Sequence, residues 1–67
     1  MDTSVGEDFP KQQARVREVL KQYEEIGAPG AFGREMIRAA LKRAEEAAMS
    51  GDVVETLRSY QELREIR

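Results

Sequence analysis

Few groups in this chain could take part in a reaction, and their spacing works against most of them. None of its 67 residues is cysteine or histidine. That excludes disulfides, thiolate or imidazole metal sites, Ser–His triads and cysteine nucleophiles together. Carboxylates are plentiful, in adjacent pairs such as Glu24-Glu25 and Glu45-Glu46. Adjacent residues on a helix point apart, whereas acid–base catalysis needs two groups that converge on one substrate atom. The tyrosines and the few serines have no base to activate them. A Mg or Ca site built from carboxylates alone stays open, but no Asp-rich loop of the EF-hand pattern is present. The expectation is a chain with no catalytic residues, no cofactor and no metal.

The cations raise two further possibilities. The stretch "SGDVVETLRSYQEL" (50–63) reads as a glycine turn followed by a capped helix, and residues 44–64 have the outline of a DNA-reading helix-turn-helix. Ala47, four positions before Gly51, and Leu57, six after it, suit that motif. Asp52 does not, because the residue after the glycine normally tucks under the turn and is apolar. Arg58, Gln61 and Arg64 are the candidate base-edge contacts, but three glutamates share their helix. The whole chain carries 11 basic and 13 acidic residues, net −2, whereas phosphate neutralisation calls for a basic stripe. Nucleic acid is thus the alternative partner, behind protein. Arg34, Arg38 and Lys42 recur every four residues and read as a solvated face paired with nearby glutamates. Arg43 is less ordinary, because it projects from an apolar arc beside Met36, Ala39 and Ala47. It must snorkel to water or meet a carboxylate, in its own chain or in a second one. Arg64 raises the same question. Phe32, Met36 and Met49 at helical spacing read as core rather than as a ligand groove.

Three helices must hold these groups. Residues 1–7 are polar and aperiodic and read as a flexible arm. Asp8-Phe9-Pro10 reads as a cap and first turn, opening a helix over about 9–26. Phe9, Val16, Val19, Leu20, Tyr23 and Ile26 share an arc of roughly 120° on it. "GAPG" (27–30) turns the chain, and a second helix is expected over about 29–49. Its apolar residues cover about 200° of its girth, so it needs neighbours on two sides. Ser50-Gly51 ends it. Asp52, with Glu55 three residues on, caps a third helix over about 53–66. There Val53, Val54, Leu57 and Tyr60 form one face, and Leu63 and Ile66 rotate toward another neighbour.

The fold class expected is an all-α bundle of three helices, helix–turn–helix–turn–helix, in a single domain over 8–67. Chains this short bury only about 60% of the surface their unfolded state exposes. Helix two also has more apolar girth than two short helices cover. A homodimer is therefore expected to complete the bundle, probed first at Phe32, Met36, Arg43, Tyr60, Leu63 and Ile66. The opening "MDTSVGEDFP" lacks the basic and apolar regions of a secretory signal, and no run approaches the roughly 20 apolar residues of a membrane span, so a cytoplasmic location with no membrane is expected.

The segment "GAFGREMIRAALKRAEEAAMSGDVVETLRSYQELREI", and within it the corner "SGDVV", resembles small uncharacterised helical proteins of bacteriophages and prophages. The resemblance covers about half of the chain and carries no catalytic motif. It implies a bacterial cytoplasm and a short phage product that binds a host protein, acting as an adaptor or inhibitor.

Overall fold

The computed structural model describes residues 4–67. Among these, α1 (Val5–Ile26) is followed by a single 3-10 turn (Ala28–Gly30), α2 (Ala31–Ser50) and α3 (Val53–Glu65). No strand interrupts the described residues. The protein is an all-α bundle of three helices in the order expected.

The entry into α1 differs from the sequence reading. Ser4, not Asp8, is the cap: its Oγ accepts the Glu7 N–H at 3.1 Å and its carbonyl accepts the Asp8 N–H at 2.9 Å. Ser4 and Glu7 have the spacing of a capping box, and Glu7 and Asp8 place negative charge at the positive end of the helix dipole. Of the expected arm, Val5, Gly6 and Glu7 are thus helical, and residues 1–3 lie outside the described residues. Pro10 now falls inside the helix rather than in its first turn, and its missing N–H leaves the Gly6 carbonyl without that partner.

Gly27 stops α1 at φ 82°, and the chain turns through Ala28–Gly30. Pro29 belongs to this turn, so α2 starts at Ala31, two residues later than expected. The second corner follows the sequence more closely. Gly51 takes the left-handed conformation at φ 72°, which costs a residue with a Cβ about 1–2 kcal/mol. Asp52 Oδ1 then accepts the N–H groups of Val54 (2.9 Å) and Glu55 (3.2 Å). The reciprocal half of a capping box is not made by Glu55. Instead the Asp52 N–H donates to Ser50 Oγ at 3.0 Å.

Phe9 and Val16 of α1, Ile37, Ala40, Leu41 and Ala44 of α2, and Leu63 of α3 form the core, with Val19, Leu20, Tyr23, Tyr60 and Ile66 packed around it. The alanines of α2 admit α3 closely. Gly33 plays that part for α1: a Cβ there would lie 2.4 Å from Tyr23 Cε2, so the ring rests on bare backbone.

Parts of the expected core are wet. Ile26, the last residue of α1, is exposed beside the turn. Val53, Val54 and Leu57 are exposed as well, and for the two valines the reason is axial offset. The Tyr60 hydroxyl meets Asp8 and Arg15 reaches the Leu63 carbonyl, so α1 and α3 run the same way with residue 60 level with residue 8. At 1.5 Å per residue, Val53 lies about 10 Å before Tyr60, while Ser4 lies only about 6 Å before Asp8. The start of α3 therefore projects past the described part of α1.

Candidate functional site

The apolar girth of α2 divides into two halves. Ile37, Ala40, Leu41, Ala44 and Ala47 face inward and are buried. Phe32, Met36 and Ala39, on the adjoining arc, are exposed, Phe32 at 78% and Met36 at 56%. Arg43 completes that strip one turn on. The steps of four, three and four residues keep all four side chains on one face of the helix.

Beside the strip runs an open groove of about 570 Å³ lined by Tyr23, Met36, Ala39, Ala40, Arg43 and Ile66, among others. Its floor comes from small residues of α2, one wall from the Tyr23 ring seated on Gly33, and the other from the end of α3. Arg43 is anchored rather than loose. Its Nε donates to Glu62 Oε1 at 3.1 Å and its Nη2 donates to Glu62 Oε2, a two-pronged pairing across α2 and α3. The Glu62 hydrogen bond, helped by its charge, raises the Arg43 pKa above its already high ordinary value. Arg43 thus meets a carboxylate of its own chain, near the surface.

Of the six residues expected at an interface, Met36, Arg43 and Ile66 line this one groove, and Phe32 extends it by a turn. The other two lie elsewhere. Leu63 is 0% exposed in the core and has no surface left to offer. Tyr60 faces α1, where its ring packs edge-on against Phe9 with centroids 6.4 Å apart. Its hydroxyl donates to Asp8 Oδ2 at 2.6 Å, and Gln12 Nε2 donates to the same oxygen at 3.2 Å. These bonds, Tyr60's first, hold the Asp8 carboxyl below the ordinary 3.8, and the same contact raises the Tyr60 hydroxyl. The rotating stripe of α3 wraps from α2 to α1 within one molecule, which is why sequence periodicity assigned both residues to a second chain.

The DNA-contact candidates are split. Arg58 and Gln61 line a second groove with Glu46, Glu55, Glu62 and Glu65, where Arg58 lies 3.5 Å from Glu55. Arg64 turns away and covers the Tyr60 ring at 5.6 Å. With Arg43 also in the lining, four carboxylates stand against two arginines, and the net negative groove repels a phosphate backbone. Leu57, expected to be buried in a helix-turn-helix, is 46% exposed. Arg38 bonds Glu35 at 2.8 Å and Glu24 at 3.1 Å, as expected of a solvated face paired with glutamates. Arg34, 3.9 Å from Glu35, is instead half-buried, and Lys42 makes no ion pair among the described residues.

Sequence reasoning missed Asp8 as the partner of Tyr60 and Arg15 as the donor to the Leu63 carbonyl at 2.7 Å. Neither contact has a local signal, since their partners are 52 and 48 residues away. The Ser4–Glu7 spacing could have moved the cap and freed Asp8 for another role. Among the described residues no group of three acidic, histidine or cysteine side chains could hold a metal ion, and no helix is long and apolar enough to cross a membrane. Comparison of the chain with protein-family models, curated proteins and solved structures finds no match.

Proposed function

We propose that this chain is a non-enzymatic protein-binding module, a small helical adaptor whose working surface is the strip Phe32–Met36–Ala39–Arg43 and the groove beside it. The observation that carries this reading is the exposure of Phe32 and Met36 on the half of the α2 girth that α1 and α3 leave uncovered. An aromatic ring and a flexible thioether next to an arginine already held by Glu62 are the residue types that carry binding energy at protein interfaces. The groove is open to solvent, and its lining Arg43 and Glu62 are already bonded to each other, which suits a protein surface better than a small substrate. The resemblance to small phage and prophage proteins supports a phage-encoded product acting on a protein in the bacterial cytoplasm.

A photoreactive side chain at position 36 tests the reading. The expected result is a covalent adduct to a protein, with the pure sample or in bacterial extract, that Ala39→Arg abolishes. No protein adduct under either condition would remove the proposal.

A further inference from the structure

We infer that the occupant of this face is a second copy of the chain, with the two α2 helices packed antiparallel about a two-fold axis close to Ala39. This inference rests on the reading of the face as a protein-binding surface and names its partner, so that a host protein would be met by the remaining surface of the dimer.

The strip repeats as a helix–helix seam does, at steps of four and three. Placed antiparallel, each Met36 meets the small Ala39 of the other copy, large against small. Each Phe32 ring meets the other copy's Arg43, a pairing that allows a cation–π contact with a guanidinium that Glu62 already holds in place. The flank of the seam decides its direction. Glu35 and Lys42 lie seven residues apart on the solvent side of the strip, hence at the same position of the repeat. Antiparallel helices set that position against itself, so each Glu35 faces the Lys42 of the other copy and two opposite-charge contacts form. A parallel pair would instead set Glu35 and Lys42 toward Ala40 and Ala47, both already buried in their own bundle. Glu35 also serves Arg38 and Arg34 within its chain, while Lys42 makes no ion pair among the described residues and is free for the contact. Beyond Arg43 the seam continues with Glu46 and Ser50, which are polar, so the contact is short.

Sedimentation equilibrium from about 1 to about 500 µM, a range covering weak and moderate affinities, reads the proposal directly. The wild-type chain is expected to dimerise. Glu35→Lys and Lys42→Glu each oppose like charges twice and should weaken self-association about tenfold, less at high salt. An equimolar mixture of these two variants has opposite charges at both contacts and should regain wild-type affinity. Ala39→Arg should leave a monomer. All three positions are exposed, so circular dichroism should be unchanged. A wild-type monomer at the highest loading, a dimer indifferent to Ala39→Arg, or a mixture no tighter than its components would overturn the inference. The adduct formed at position 36 separates this failure from failure of the wider reading. Twice the chain mass supports the second copy, another protein's mass overturns it while keeping the binding face, and no adduct removes both.

Discussion

Replacing Gly33 by alanine sets two effects of known sign against each other. Within a helix, alanine is favoured over glycine by about 0.8–1 kcal/mol, so in an open position the change would stabilise. Here the new methyl would lie 2.4 Å from Tyr23 Cε2, 2.9 Å from Cδ2 and 3.3 Å from Cζ. The ring must leave its seat or α1 must move off α2, and overpacking of that kind costs about 1–3 kcal/mol. The steric clash outweighs the helical preference. Gly33→Ala is expected to destabilise the fold by about 1 kcal/mol net, which lowers the melting temperature of a domain this small by about 4–8 °C. Tyr23→Ala removes the obstacle, and on that background Gly33→Ala should stabilise by about the full helical preference. The two signs, read by thermal or urea unfolding of the four proteins in the cycle, differ by about 2 kcal/mol of coupling. A higher melting temperature for Gly33→Ala alone would refute the argument, because it would mean the Tyr23 ring does not depend on the missing side chain. The outcome also bears on the binding face, since Tyr23 forms one wall of its groove.

Other consequences of the structure are open to measurement. At Gly51 no atom lies within 4 Å of an added Cβ, so only the left-handed backbone is at stake; Gly51→Ala should cost about 1 kcal/mol in urea unfolding, and Gly51→Asn less. Asp52→Ala removes the acceptor of two N–H groups and should cost about 1 kcal/mol, whereas Glu55→Ala, whose side chain caps nothing, should cost much less. The Asp8 carboxyl is held below its ordinary value, first by the Tyr60 hydroxyl. Its contribution is therefore present above pH 3.8 and is lost as pH falls through the lower folded value. Tyr60→Phe should flatten the stability profile below that pH, and an unchanged acid limb would count against the bond. Retention on duplex DNA should be negligible at physiological salt, and Arg58→Glu should not alter it; steeply salt-dependent binding would revive the helix-turn-helix reading.

Much of the fold could be read locally. Gly27 and Gly51 mark both corners, Asp52 caps α3 as its side chain requires, and the wide apolar girth of α2 marks it as the central helix. These features depend on residues within one or two turns of each other, which sequence lists in order. The start of α1 was misread because two acceptable caps, Ser4 and Asp8, stand four residues apart. Asp8 has its actual partner 52 positions away.

Periodicity established how much apolar surface each helix carries but not which neighbour covers it. On α3 that division depended on the axial offset of α1. The offset left Val53 and Val54 in water and brought Leu63 alongside α1 to full burial inside one chain. On α2 the excess girth inferred from sequence stayed uncovered at Phe32, Met36 and Ala39, since two helices of this length can flank only part of a third. Composition alone determined that no thiol, imidazole or disulfide chemistry is available. Tertiary packing alone decided that Arg43 is held by Glu62, because an ion pair between helices forms only where their relative rotation brings the charges together.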